Sequence, residues 1–186
     1  MLDVPAPTTL WRTLFGDDRP VEIEIGPGRG DVLLAYAAAA PERGFFGIER
    51  RAGQAEAIVA RAARLGLANV RAVGGDARWI LERVVPAGSV AVHHIYFPDP
   101  WPKTRHRERR LFEPRFIRAL LRTLQPGGQV HIASDLPGLV ADAARGLWSA
   151  GLREECGAAP PAARPTTRFE RKYAAGGTHY VRFTRP

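Results

Sequence analysis

The sequence predicts an α/β fold: a doubly wound, mostly parallel sheet with helices on both faces and closing strands at its end. Three observations carry that expectation. Short apolar runs with strand patterning alternate with helical segments of about ten to fifteen residues. A glycine-rich turn, Gly26-Pro-Gly-Arg-Gly30, joins the first run directly to the first helix. The length, 186 residues, holds one such domain comfortably and not two.

Each element has its own signal. Val21-Glu-Ile-Glu-Ile25 is a short alternating strand, and Asp31 to Ala40 a helix of small and apolar residues stopped by Pro41. Gly44 to Glu49 is the second strand. Arg51 to Leu65 sets Ala52, Ala55, Ile58, Val59, Ala62 and Leu65 on one helical face, with Gly66 as its stop. Val70 to Val73 is a third strand, and Ala77 to Val84 a short helix before Pro86-Ala-Gly. Ser89 to Phe97 is apolar enough for a buried parallel strand. Phe112, Phe116, Ile117, Leu120 and Leu124 mark a helix ending at a Pro126-Gly-Gly turn. Gln129 to Ser134 is a fifth strand, Leu139 to Ala150 a fifth helix, and Leu152–Cys156 and His179–Phe183 are closing strands. Residues 1–20 read as a short N-terminal segment. A loop over 158–166 is rich in proline and alanine. The whole of 1–186 is one domain on this reading.

Composition excludes several classes. Apolar residues at 45% and charged residues at 25% are those of a globular protein, against disorder. No run approaches eighteen apolar residues, so no membrane span is expected. Met1 to Trp11 lacks the basic n-region of a signal peptide. The single cysteine, Cys156, permits no internal disulfide and no thiolate cluster, which fits a reducing cytoplasm. The five histidines show no ligand spacing, and His93 and His94 alternate to opposite faces of a strand, so no metal is expected. Net charge is +8, but it is not spread evenly. Residues 101–118 carry +5 and residues 164–185 another +5, leaving the rest of the chain at −2. Two basic patches on a near-neutral body point to a polyanionic partner. The run from Lys103 to Arg110 is one wall of that surface, and Arg164 to Lys172 the expected opposite wall.

The turn after the first strand is the geometry of a ligand cradled at a helix N-terminus. Its spacing is GxGxG, and Glu24 lies two residues before the first glycine. A carboxylate there repels a pyrophosphate but suits a cationic ligand carrying an amino group and a sulfonium, such as S-adenosylmethionine (SAM). Glu49 ends the second strand, where an acid grips ribose hydroxyls in doubly wound folds. Asp76 follows the third strand, placed to reach an adenine amine or to cap the next helix. Singly, each has a plainer role: a strand–helix turn, a solvated strand end, an N-cap. Together they fall at successive strand C-termini, where α/β sheets bind ligands. No GxxxxGK[ST] motif is present, which excludes a P-loop.

The most specific stretch runs from Ile95 to Leu111. Phe97-Pro-Asp-Pro-Trp-Pro102 is a proline-stiffened loop holding Asp99 and Trp101, and Lys103-Thr-Arg-His-Arg-Glu-Arg-Arg110 follows it. This segment resembles the bacterial tRNA (guanine-N7-)-methyltransferases, whose pattern is FPDPWPK followed by RHxxRR. Glu24-Ile-Gly26, Gly47-Ile-Glu49 and Thr167-Arg-Phe-Glu170 match the same family in order, so the resemblance spans about residues 21–183. It implies a Rossmann-like methyltransferase sheet, mostly parallel with an antiparallel closing strand. It also implies methyl transfer from SAM to N7 of a guanosine in the tRNA variable loop, at position 46. Residue by residue, it implies SAM against Glu24, Glu49 and Asp76, with Gly26, Gly28 and Gly30 forming the turn. Asp99 is then catalytic, and Lys103, Asp135, Thr167, Arg168, Phe169 and Glu170 meet the substrate. Arg105, His106, Arg107, Glu108, Arg109 and Arg110 lie on RNA. No metal and no obligatory protein partner is implied, and the protein is expected as a monomer or homodimer. Thr104 stands where a basic residue is common, and Leu136 where an aromatic one often sits.

The chemistry follows without the family. Guanine N7 already presents an in-plane lone pair, so attack on a sulfonium methyl needs no deprotonation and catalysis is mostly alignment. The purine gains positive charge as it reacts. A fixed carboxylate such as Asp99 either stabilises that charge or holds the guanine N1 and amino edge. Two other classes fit parts of the pattern: a SAM-dependent enzyme of a small molecule, and a non-catalytic RNA-binding module. The complete Glu24, Gly26–Gly30, Glu49 set argues against the second of these.

Overall fold

Strands whose two faces are both apolar must be covered twice, and the chain does this with helices on either side of one sheet. The computed structural model describes residues 9–100, 111–166, 170–171 and 177–186. Its strands are β1 (Val21–Ile25), β2 (Gly44–Glu49), β3 (Val70–Gly74), β4 (Val90–Tyr96), β5 (Leu124–Ser134), β6 (Arg153–Glu154) and β7 (His179–Thr184). They lie in the order β3-β2-β1-β4-β5-β7-β6. The pairs from β3 through β5 are parallel, and β7 is antiparallel to both β5 and β6. The chain order reverses between β1 and β4, and that switch point is where a ligand crevice opens in such sheets.

The helices are α1 (Thr9–Phe15), α2 (Asp31–Ala39), α3 (Ala52–Arg64), α4 (Ala77–Arg83), α5 (Pro114–Thr123) and α6 (Pro137–Ser149). Ile23, Phe46, Ile48 and Ile95 point to one face, packed with Trp11 of α1, Leu81 of α4, Phe116 of α5 and Leu147 of α6. On the other face Leu33 and Tyr36 of α2 and Ile58 of α3 pack on Phe45 and Val70. Over β4, β5 and β7 that second face presents His94, Tyr96, His131 and Tyr180, and the 158–166 loop lies on it: Arg182 Nη2 donates to the Ala159 carbonyl at 3.0 Å, and Arg164 stacks on Tyr96. Among the described residues no helix is long and apolar enough to cross a membrane.

The structure departs from the sequence reading in four places. α1 was not expected; seven residues carry little periodicity, and what holds the helix is Trp11, edge-on to Phe46 at 5.4 Å. α6 starts two residues early, at Pro137, because the fixed φ of proline suits the first helical turn. Pro126-Gly-Gly does not end the preceding helix. Leu124 already pairs with Val90 and Gln129 with Val92, so residues 125–128 loop out within β5. Gly127 and Gly128 there exchange backbone hydrogen bonds with Arg185. Lastly, the Leu152–Cys156 strand shrinks to Arg153–Glu154 at the sheet edge.

Candidate active site

A cleft of about 900 Å³ opens at the C-terminal ends of β1, β2 and β4, and Glu24, Gly26, Gly28, Glu49, Asp76 and Asp99 all line it. Alternation along β1 sends Ile23 to one face and Glu24 to the other, where it sits in register between Gly47 and His94. A side chain at position 47 would press on Leu33 and Pro27. Glu24 is only 4% exposed, and its Oε2 has no hydrogen-bond partner among the described residues. Burial pushes its carboxyl up to about 8. A buried acid with one free oxygen needs a cation or a donor to ionise. The sulfonium and amino group of SAM would supply that charge, so the residues present fit this cosubstrate.

Glu49 anchors the glycine turn. Its Oε2 accepts the Gly28 N–H at 3.0 Å and its Oε1 the Arg51 N–H at 3.1 Å. Each oxygen keeps a second lone pair for a ligand hydroxyl. Gly28, at φ +56°, has open space where a Cβ would stand, so backbone can meet ligand closely there. Gly30 closes the turn as the N-cap position of α2. It lies between the cleft-lining Arg29 and Asp31; at φ +76° it lets α2 approach α3, and a Cβ would lie 2.9 Å from Ile58 Cγ1. Asp76 caps α4 by accepting the Arg78 N–H at 2.9 Å, and it pairs with the Arg78 guanidinium at 2.6 Å, which holds its carboxyl below the usual range. Arg78 also reaches Glu113 at 2.9 Å. The Asp76–Arg78 pair separates the cleft from a second cavity of about 850 Å³ beside the exposed Trp79.

Asp99 stands exposed at the lip, on the loop after β4. The residue two before it, Phe97, has φ +50°, the one left-handed non-glycine among the described residues. Such strain, on the order of 1–3 kcal/mol, persists only where the surroundings over-determine the backbone. Here the Phe97 N–H bonds the Ala133 carbonyl at 2.7 Å and Pro98 follows. Asp135, just past β5, is half-buried near the Ser134 hydroxyl and is not among the cleft-lining residues. Glu170 is almost covered and accepts from Arg164 at 2.9 Å. Lys103, Arg105, His106, Arg107, Glu108, Arg109, Arg110, Thr167, Arg168 and Phe169 lie outside the described residues.

Arg164 itself is a correction. The charge count placed it on an RNA-facing wall, yet its side chain is 5% exposed and ion-paired, because the 158–166 loop turns it inward onto Tyr96. Charge counting also gave no sign of the polar chain behind the cleft. His94 Nε2 meets Glu22 at 2.6 Å and His94 Nδ1 meets Tyr96 Oη at 2.9 Å. Tyr96 Oη in turn meets Tyr36 Oη at 3.0 Å. Burial pushes Glu22 up, but His94 and Arg43 outweigh it and hold the carboxyl below its ordinary range. His93 and His131 are pushed down by burial to about 3 and about 2, and so are neutral.

Residues 18–183 match the family described as "Putative methyltransferase". A tRNA (guanine-N(7)-)-methyltransferase of Anaeromyxobacter dehalogenans is 41% identical over 173 residues, covering 90% of this chain and 86% of that one. One from Alcanivorax borkumensis is 39% identical over 167 residues, covering 86% of this chain and 69% of that one. Among solved structures, the aminoglycoside resistance methyltransferase NpmB1 superposes with a TM-score of 0.68 at 18% identity, covering 97% of this chain and 94% of that one; it shares the fold. A family model matching most of the chain, and relatives 39–41% identical that it covers to two thirds or more, assign the family: the chain belongs to the tRNA (guanine-N(7)-)-methyltransferases.

Proposed function

We propose that this protein transfers the methyl group of SAM to N7 of a guanosine in the tRNA variable loop, at position 46, as a single cytoplasmic domain acting as monomer or homodimer. The observation that supports this most is that four acids separated along the chain, Glu24, Glu49, Asp76 and Asp99, line one cleft at the sheet's switch point. Bound SAM supplies a methyl on a positively charged sulfur. Everything else is the work of the chain. Glu24 receives the cationic methionyl end and regains its own charge in doing so. Glu49, already fixed by two backbone N–H groups, accepts from the ribose hydroxyls. Asp76, held by Arg78, turns its remaining lone pairs to the adenine amine. Asp99 supports the charge that grows on the purine, or holds the base edge, from a loop that Pro98 and Pro100 keep short of freedom. The basic run from Lys103 to Arg110 takes phosphates. Lys103, Asp135 and the Thr167–Glu170 segment complete the acceptor side.

The test is incubation of purified protein with labelled SAM and, in parallel, tRNA, guanosine and guanosine monophosphate. Label recovered as 7-methylguanosine from tRNA, and not from the mononucleotides, is the expected result. Efficient transfer to a mononucleotide favours the small-molecule reading instead. Binding of SAM and tRNA without transfer favours the non-catalytic one.

A further inference from the structure

Trp79 stands on the solvent side of α4, 58% exposed, and Val84 just past the helix is 42% exposed. Lone apolar residues at a surface need no explanation, but these two border the second cavity, of about 850 Å³. Its more buried lining is apolar, with Phe46, Val73 and Ile80, while its more exposed lining carries Arg78, Glu113 and Arg115. A flat ring with polar edges fits such a space, its faces on the indole and the apolar lining and its edge towards the charged side chains.

The surroundings say which kind of ring. Trp79 and Arg83 are four residues apart on α4, and Arg115 and Arg118 three apart on α5, so each pair shares a helix face. Glu82 draws the two helices together. It accepts from Arg115, and the charges of Arg83 and Arg118 add to that bond in holding its carboxyl below the usual range. Arg115 is ion-paired with Glu82, whereas Arg83 and Arg118, both exposed, form no ion pair among the described residues. Three guanidiniums around one carboxylate leave two positive charges over beside an exposed indole. Surplus cations next to a stacking platform are what a nucleic acid binds. α5 also begins four residues after the Lys103–Arg110 run ends, a reach of at most about 14 Å.

We propose that the α4–α5 face is a second RNA contact: the cavity beside Trp79 takes an unpaired base of the tRNA, and Arg83 and Arg118 hold neighbouring phosphates. The inference rests on the functional reading above, in which the polyanion on Lys103–Arg110 is tRNA. The base held here is not the one methylated, because the Asp76–Arg78 pair stands between this cavity and the cleft that receives SAM. It anchors the RNA outside the reacting centre, and stacking there tolerates any sequence, since every base presents a π face.

The test compares the wild type with Trp79→Ala, Trp79→Phe and the double variant Arg83→Ala/Arg118→Ala. Bulk tRNA is titrated at several salt concentrations, SAM by calorimetry, and the oligomeric state is followed by sedimentation. Trp79→Ala should weaken tRNA binding about tenfold with an unchanged slope of log-affinity against log-salt, because stacking releases no counterions. Trp79→Phe keeps a ring and should stay within about threefold of the wild type. The arginine variant should flatten the slope by about one to two units. SAM affinity should remain within about twofold throughout. If Trp79→Ala does not fold, the arginine variant decides, and an unchanged slope there overturns the proposal. Wild-type tRNA affinity in Trp79→Ala also overturns it. A fall in SAM affinity alone would then make the indole part of the cosubstrate site, and a dissociating dimer would make this face a contact between copies of the chain. A wild type that binds no tRNA overturns the functional reading, and this proposal with it.

Discussion

Glu24 carries its charge only when something positive meets it. Its carboxyl titrates near 8 in the folded chain against an ordinary 4.5. Between those values the folded state holds a proton that the unfolded state has released, so stability falls as pH rises through this window. Glu24→Gln removes that dependence. In urea unfolding at pH 5 and pH 8 without SAM, the wild type should lose stability relative to Glu24→Gln by a few kcal/mol, an order-of-magnitude figure. A parallel pH response in both proteins contradicts the burial argument. Asp99 is the opposite case, an exposed acid whose value lies in placement. Asp99→Ala should slow turnover about 10²-fold, the scale of one lost preorganised group, with SAM affinity nearly unchanged in calorimetry. Asp99→Asn keeps the shape and loses the charge, so an equally large defect there assigns the effect to charge or acceptor capacity. The places of these acids were legible in the sequence because each lies within three residues of a strand's C-terminal end, and that end has one location in such a sheet. Arg164 was not. Nothing local distinguishes a buried arginine from the exposed ones around it until the 158–166 loop is laid on β4.

At the scale of elements, periodicity located most strands and helices but not which polar residues are enclosed. Val21–Ile25 alternates as a strand with one wet face does, yet both Glu22 and Glu24 are buried. Whether that second face is wet depends on β4 and β2 flanking β1 and on α2 lying above, and no five-residue pattern contains that. The join between α2 and β2 is similarly silent in sequence. Buried Asn69, just before β3, donates through Nδ2 to the carbonyls of Ala37 and Arg43 at 3.0 Å and of Ala40 at 3.3 Å. It thereby satisfies carbonyls freed where α2 ends. Asn69→Ala should cost about 1–3 kcal/mol in denaturant unfolding, the penalty of leaving buried acceptors unpaired. A loss within a few tenths of a kcal/mol implies that water replaces the amide. SAM affinity should follow only as far as stability does, because Asn69 is not among the cleft-lining residues.

For the whole molecule, the excess of positive charge gathers in two stretches rather than spreading over the surface. Burial of Arg164 moves one of those charges inside, so the run from Lys103 to Arg110 carries more of the polyanion surface than the count suggested. Replacing Arg105, Arg109 and Arg110 by Ala should flatten the log-affinity against log-salt slope for tRNA by roughly two to three units, with SAM binding intact. An unchanged slope would return the segment to ordinary solvated surface. The fold class was readable because alternating strands and helices leave few topologies open. The polar chain from Arg43 through Glu22, His94 and Tyr96 to Tyr36 was not, since it links residues on four separate segments. What the cleft does to RNA is settled most directly by mapping the methyl group. Bulk tRNA treated with the protein and SAM, then with borohydride and aniline, should be cut at one new site, the variable-loop guanosine at position 46. Cleavage elsewhere, or methyl label incorporated with no aniline-sensitive site at all, would contradict N7 transfer to that base.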